Sequence, residues 1–128
     1  MASDLYSSRG RGEDVYDLFE RGTQMLRGGH PHQAAMLLGR AKVLEPDKAS
    51  IREALGRALW MIGRASGARR EFAKVVAIDP ANDYGHFALA LCCERTGQRI
   101  RARGHVKLAV ALRPGNADYE RALQRLSA

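Results

Sequence analysis

The sequence predicts an all-α protein, a right-handed superhelical stack of helix-turn-helix repeats. Within each repeat, apolar residues recur at the spacing of one helical face. Three residue types also return together every 34 positions along the 128 residues. They are Pro46, Pro80 and Pro114; Gly29, Gly63 and Gly97; and Ala34, Ala68 and Ala102. Because three residue types share one period, the chain is interpreted as an internal repeat.

The chain begins with residues 1–12, which are rich in Ser, Gly and Arg and poor in apolar side chains. We expect this segment to be a disordered tail, followed by one domain over residues 13–128. Glu13 and Asp14 then open the first helix, because acidic side chains favour the positive end of the helix dipole.

Phased on the prolines, the repeats span 15–48, 49–82 and 83–116. Each is predicted to be a helical hairpin whose turn is made by a glycine. Asp47, Asn82 and Asn116 stand where N-caps are expected. The predicted core is Leu18, Gly22 and Met25 in the first repeat; Ile51, Leu55, Ala58, Leu59, Ile62, Ala68, Phe72, Val75 and Val76 in the second; and Leu89, Cys92, Cys93, Ala102, Val106 and Ala109 in the third.

A last amphipathic helix is predicted over residues 117–126, after Asn116. Leu123 and Leu126 lie on its apolar face. A stack of repeats needs a helix of this kind, since its final unit otherwise exposes apolar surface. We therefore expect this helix to cap the third repeat.

The period of 34, the pair Leu55-Gly56, the spacing from Ala68 to Phe72 and the closing Pro80 resemble the tetratricopeptide repeat (TPR) family. The resemblance covers three repeats and the C-terminal capping helix. Its departures include Arg52 and His86, which stand where the family favours a large aromatic residue. Ala90 replaces a family glycine, and Leu38 and Val106 stand where Phe72 stands in the second repeat.

The resemblance implies a non-enzymatic scaffold that binds a peptide segment of a partner in a concave groove lined by the first helix of each repeat. Five of the eight aromatic residues fall on that face, and arginines edge it. The residues assigned to the groove are Tyr16, Phe19, Thr23, Arg27, Glu53, Arg57, Trp60, Met61, Tyr84, Phe87, Leu91 and Arg95. Leu26 is also expected to line the groove.

One use of the family is not expected here. Members that hold the C-terminal carboxylate of chaperones use Lys, Asn and Arg at set groove positions. In this sequence those positions are Phe19, Thr23, Ala54, Tyr84 and Ala88. None of these side chains can form a forked ion pair with a carboxylate.

Composition favours an acidic or amphipathic protein partner, because the net charge is +7 and the pI is about 10.0. No apolar run approaches a membrane span and no signal-peptide core is present, so a cytoplasmic location without membrane contact is expected.

The two cysteines, Cys92 and Cys93, are adjacent, which disfavours a disulfide between them. His30, His32 and His86 form no complete metal motif, so neither catalysis, a metal nor a cofactor is expected.

Two other functions remain open at this stage. A run without an acid is formed by Arg99, Arg101, Arg103, Lys107 and Arg113. Such a run is usually a solvated face, and its functional interpretation is contact with nucleic acid or an acidic protein. A three-repeat helical stack also suits a secretion-type chaperone that holds an apolar segment of its cargo. In addition, outward apolar residues of the second helices, Val43 and Leu108 among them, indicate a weak homo-oligomer contact.

Overall fold

The computed structural model describes residues 14–128, which form seven helices and no strand. The predicted tail, residues 1–12, and Glu13 lie outside this part of the chain. The helices are α1 Val15–Arg27, α2 Pro31–Leu44, α3 Ala49–Ile62, α4 Ala65–Ile78, α5 Asp83–Arg95, α6 Arg99–Leu112 and α7 Ala117–Ser127. None of these helices combines the length and the apolar character that a membrane span needs.

Each helix packs most extensively against its neighbours in the sequence, α1 with α2, α3 with α4 and α5 with α6 as hairpins. Successive hairpins then join through α2 with α3, α4 with α5 and α6 with α7. Buried apolar side chains run through the stack in three adjoining clusters. The predicted fold class, an all-α TPR-like stack, is confirmed.

The turn glycines predicted from the repeat occupy the bends between paired helices. Gly63 has φ of +95°, a conformation that costs a residue without Cβ little. Its N–H donates to the carbonyls of Leu59 and Trp60, which closes the end of α3. The equivalent Gly29 and Gly97 have φ of +81° and +82°.

Two of the three predicted N-caps are confirmed. Asn82 Oδ1 accepts from the N–H of Gly85 at 2.8 Å, and Asn116 Oδ1 accepts from the N–H of Tyr119 at 3.1 Å. The prediction for Asp47 is wrong, because the residue 34 positions before Asn82 is Lys48, which is the N-cap of α3. Asp47 instead lies 3.5 Å from Lys74 Nζ as an exposed ion pair.

Of the three core residues predicted in α1, Leu18 and Gly22 are buried and the prediction for Met25 is wrong. Leu26 is buried, with 6% of its surface exposed, whereas Met25 is 36% exposed. The equivalents of Met25 in the later repeats, Leu59 and Cys93, face the second helix of the preceding repeat. Within the described residues no helix precedes α1, so Met25 has no such surface to cover.

Close approach between the two helices of a repeat depends on a matched pair of residues. A Cβ placed on Gly56 would lie 2.8 Å from Cε2 of Phe72, and one on Gly22 would lie 2.7 Å from Cγ of Leu38. In the third repeat the same pair is Ala90 and Val106, both fully buried. A larger first-helix residue therefore accompanies a smaller second-helix residue.

This pairing predicts opposite effects for two glycine-to-alanine changes. Gly39→Ala, with nothing within 4 Å of the added Cβ, should raise the free energy of unfolding by about 0.5–1 kcal/mol through helix propensity. Gly56→Ala should lower it by about 1 kcal/mol, because overpacking against Phe72 outweighs the same gain. Urea denaturation of both variants measures the difference, and equal stabilisation by both would show that the Phe72 ring moves aside freely.

A second equivalent position lies between the two helices of each repeat, and its chemistry changes along the stack. The first repeat uses Leu18 and Leu37, both buried. The second uses Arg52 and Glu71, whose Nη1 and Oε1 are 3.1 Å apart. The third uses His86 and His105, whose rings stack with their Nδ1 atoms 3.1 Å apart.

The departures from the family pattern at Arg52 and His86 have a shared role. Arg52 Nε donates to the carbonyl of Pro46 at 2.8 Å, and His86 Nε2 lies 2.8 Å from the carbonyl of Pro80. Both side chains therefore tie the proline of the preceding turn to the first helix of the next repeat. These contacts and its burial give His86 a structural role.

Helix α7 packs on the third repeat, with Leu126 in the apolar cluster and Leu123 half-buried against it. Tyr119 is also buried, and its hydroxyl donates to Asp83 Oδ2 at 2.6 Å. Arg125 makes two hydrogen bonds to Glu94, at 2.7 and 3.0 Å. The sequence identified the leucines of this contact but not the tyrosine.

Candidate functional site

The groove predicted from the first helices contains a cavity between α3 and α5. Its volume is about 140 Å³, enough for one side chain of a ligand. Its lining is apolar except at the rim. The lining residues are Arg57, Trp60, Met61, Phe72, Tyr84, Ala88 and Leu91. We call this cavity the groove pocket.

Trp60 is held in place from the next repeat. The guanidinium carbon of Arg95 lies 4.6 Å from the centre of the Trp60 ring, which is a cation–π contact. The indole is half-buried and packs against the apolar cluster of the third repeat. Two predicted groove residues, one from α3 and one from α5, thus form a single surface.

Tyr84 closes the other side of the groove pocket. Its ring meets the edge of Phe72, with centroids 6.2 Å apart and planes at 77°. Burial raises the pKa of the Tyr84 hydroxyl, and Glu53 acts in the same direction, while Arg57 lowers it. The hydroxyl is therefore protonated at neutral pH and can donate a hydrogen bond to a ligand.

Arg57 supplies positive charge at the rim of the groove pocket. Glu53 lies one turn earlier on α3, but no hydrogen bond or ion pair joins these two side chains among the contacts of residues 14–128. Arg57 is exposed. Its donors are consequently available to a carboxylate of a ligand.

The remaining predicted groove residues do not join this pocket. Tyr16 and Phe19 line a separate cavity of about 410 Å³ with Ile51. Phe87 packs on Tyr119, with ring centroids 4.8 Å apart, and so helps to attach α7. The Thr23 hydroxyl donates to the carbonyl of Glu20 at 2.9 Å, and Arg27 is exposed at the end of α1.

The sequence placed Ala88 at a groove position but did not assign Phe72 to the groove. Phe72 is buried, as predicted for a core residue, and it also lines the groove pocket. Ala88 is also buried. Its small side chain, 34 positions after Ala54, was the one signal that space is open there.

The arginine-rich run on α6 is divided in the structure. Arg99 Nη2 donates to the carbonyl of Arg125 at 2.8 Å, and Arg113 Nε donates to Asp83 at 2.9 Å. Arg99 therefore helps to hold α7, while Arg113 joins the end of α6 to the Asp83 carboxylate of α5, which also accepts from Tyr119 of α7. Arg101, Arg103 and Lys107 are exposed.

Comparison with known sequences places the chain in a family. The profile of the bacterial transcriptional activator domain (BTAD) family matches residues 2–114. The chain belongs to this family. A search of curated proteins gave no match to this BTAD chain.

Solved structures resemble this BTAD chain in fold. The Arabidopsis OM64 TPR domain has a TM-score of 0.84 and 20% identity, over 89% of this chain and 94% of that one. The second TPR domain of human RPAP3, in complex with an HSP70 peptide, has a TM-score of 0.83 and 15% identity, over 89% of this chain and 95% of that one. The Yersinia enterocolitica secretion chaperone SycD, in complex with a peptide of the translocator YopD, has a TM-score of 0.75 and 18% identity, over 89% of this chain and 87% of that one. These similarities establish the TPR architecture.

Proposed function

We propose that this BTAD chain is a non-enzymatic protein-interaction module that binds a peptide segment of a partner protein in its concave groove. The observation that carries the proposal is the groove pocket, an apolar cavity of about 140 Å³ whose rim carries Arg57, which has no ion pair within residues 14–128. Binding hot spots favour Trp, Tyr and Arg in such central, well-packed positions. A cytoplasmic location belongs to the same proposal, since the two buried thiols are free.

The pocket defines the chemistry of the ligand. Its volume admits one apolar side chain, which would contact Trp60, Met61 and Leu91. Arg57 favours an acidic residue next to that side chain, and the Tyr84 hydroxyl favours a backbone carbonyl. The ligand is therefore a peptide with an apolar residue beside an acidic one, which suits a chain of net charge +7.

Two comparisons support a peptide ligand. The RPAP3 domain and SycD, which share this fold, are each described in complex with a peptide. The family name associates the chain with transcriptional activation. We infer that the bound peptide belongs to a component of a transcriptional regulator, either another part of the same protein or a separate subunit.

Binding of nucleic acid along α6 is the second candidate, and the family name and three exposed cations favour it. Against it, two of the five cations in the run are hydrogen-bonded within the chain. A nucleic-acid site would show a steep loss of affinity with rising salt. Peptide binding at an apolar pocket would change much less, which separates the two candidates.

The test is selection of peptides from a random library on the full chain, followed by titration of the best binders. Trp60→Ala should weaken binding by about 2 kcal/mol, or about 30-fold, because it removes one wall of the groove pocket. Trp60 is the only tryptophan in the sequence, so its fluorescence reports directly on occupancy of the parent protein.

Two further variants complete the test, one at the rim of the groove pocket and one control away from the groove. Arg57→Glu changes an exposed residue and should weaken acidic peptides by about tenfold through charge reversal. Ile100→Ala, which is exposed on α6 away from the groove, should leave affinity within about twofold. Selected peptides that bind both groove variants as tightly as the parent would place the site elsewhere.

A further inference from the structure

A cleft between the second helices α4 and α6 gathers positive charge on the side of the molecule formed by those helices. Its volume is about 310 Å³, within the usual range for small-molecule sites. Its lining residues are Arg69, Arg70, Ala73, Val76, Leu89, Cys93, Arg101 and His105. We call it the basic cleft, and we propose that it binds the phosphate group of a small organic phosphate monoester.

The repeat supplies an internal comparison for the basic cleft. The same cleft exists one repeat earlier, between α2 and α4, with a volume of about 840 Å³. Ala35, Met36 and Gly67 stand there at the positions of Arg69, Arg70 and Arg101. Because the earlier helices pack without arginine at these positions, packing does not require the three guanidinium groups.

The charge balance of the two clefts also differs. In the earlier cleft Lys42 Nζ lies 2.9 Å from Glu71 Oε2, so a carboxylate offsets part of the positive charge of Lys42, Arg64 and Arg70, which also line that cleft. At the equivalent positions the basic cleft has Val76 and His105, and no carboxylate lines it. Three guanidinium groups without a counter-charge repel one another, and a bound dianion relieves that repulsion.

The donors of the basic cleft are available. Arg70 and Arg101 have no ion pair or hydrogen bond within residues 14–128, and Arg70 lies between the two clefts and lines both. Arg69 is oriented by one bond, from its Nη1 to Thr96 Oγ1 at 3.1 Å, which leaves its other N–H groups for a ligand. Guanidinium groups match the oxygens of phosphate in pairs, and a tetrahedral dianion can accept from all three.

His105 favours phosphate over a carboxylate. The Pro80 carbonyl can only accept, so His86 Nε2 donates to it, and the Nδ1 atoms of His86 and His105 share a hydrogen bond. Burial, followed by His86 and Arg101, lowers the pKa of His105, which favours its neutral imidazole with one unprotonated ring nitrogen. A phosphate monoester has a second pKa of about 6, so it can also bind as the monoanion, whose hydroxyl donates to an unprotonated ring nitrogen of His105 while its other oxygens accept from the arginines.

The rest of the lining indicates an organic ester rather than a nucleic-acid backbone. Ala73, Val76 and Leu89 form apolar surface beside the arginines. A small apolar group attached to the phosphate would cover it. The basic cleft shares no lining residue with the groove pocket, so this proposal does not depend on the proposed peptide function.

Titration calorimetry of the full chain with phenyl phosphate tests the proposal. We expect saturable binding of one equivalent, and a loss of about tenfold in affinity for Arg70→Gln and for Arg101→Gln, since each removes a charge-assisted pair of hydrogen bonds. Arg103→Gln is the matched control, because Arg103 is exposed on the same helix but does not line the cleft. It should stay within about twofold.

Phenyl sulfate, a monoanion with no proton to share, should bind more weakly than phenyl phosphate by about tenfold or more. Absence of saturable binding at millimolar phenyl phosphate would overturn the proposal. So would equal losses in the Arg101 and Arg103 variants, which would mean a diffuse charge effect. Displacement of phenyl phosphate by duplex DNA, with all three variants weakened alike, would assign the arginines to nucleic acid instead.

Discussion

Removal of residues 117–128 should lower the free energy of unfolding by about 3–6 kcal/mol. Tyr119 and Leu126 are buried in the contact between α7 and the third repeat, and each contributes about 1.5–3 kcal/mol when fully buried. Their loss also exposes the apolar residues of α5 and α6 that they cover. Urea denaturation of the full and shortened chains measures the difference.

The polar contacts of α7 give this prediction a pH dependence. The Tyr119 hydrogen bond, followed by those of Arg113, holds the pKa of Asp83 below its usual value of 3.8. The Arg125 bonds likewise lower the pKa of Glu94. A carboxyl whose pKa is lowered by folding stabilises the folded state above its unfolded pKa and loses that contribution as the pH falls. The advantage of the full chain should therefore shrink below about pH 4.

Matched point variants distinguish the effect of losing a buried side chain on stability from the effect of shortening the chain. Leu126→Ala should cost about 2–3 kcal/mol, because the side chain is almost fully buried, while Gln124→Ala on the exposed face should change stability by less than about 0.5 kcal/mol. If the shortened chain unfolds at the same urea concentration as the parent, α7 is not a stabilising cap.

The repeat period made the fold predictable, because the structural role of residues such as Gly63 and Phe72 follows from their own chemistry. Gly63 ends a helix because glycine adopts a positive φ at little cost, and Phe72 is buried because its apolar ring packs between paired helices. The sequence predictions were wrong where the burial of a side chain depends on another helix. Met25 is exposed since no described helix precedes α1, and Tyr119 is buried because Asp83, 36 residues earlier, accepts from its hydroxyl.

The candidate site was predicted less completely for the same reason. Trp60 and Arg95 were both assigned to the groove, yet their contact depends on how α3 and α5 pack. The arginine run was visible in the sequence, but Arg99 and Arg113 at its ends bind within the chain. The basic cleft instead draws its charge from two separate helices, a combination that no continuous stretch of sequence shows.

Glu71→Leu should lower the free energy of unfolding by about 2–3 kcal/mol. The Glu71 side chain is only 8% exposed and accepts from Lys42 at 2.9 Å and from Arg52 at 3.1 Å. Removing one member of a buried ion pair leaves its partner charged and without compensation, which costs more than the pair itself contributes. The value is below that of a fully enclosed pair because a third of the Lys42 side chain is exposed.

Adding Arg52→Leu to this variant should recover most of the loss. The double variant reproduces the apolar pair Leu18 and Leu37 of the first repeat and leaves only Lys42, whose side chain is 32% exposed, without its partner. Apolar replacement of a whole buried ion pair is often neutral or stabilising. We therefore expect the double variant to lie within about 1 kcal/mol of the parent.

A double-mutant cycle by urea denaturation measures this coupling between Arg52 and Glu71. Lys74→Ala on the same helix is the control, since its exposed ion pair with Asp47 at 3.5 Å should contribute less than about 0.5 kcal/mol. Additive losses in the double variant would show that the two side chains are not coupled. The second repeat would then require its ion pair for packing, and the apolar pair of the first repeat would not be interchangeable with it.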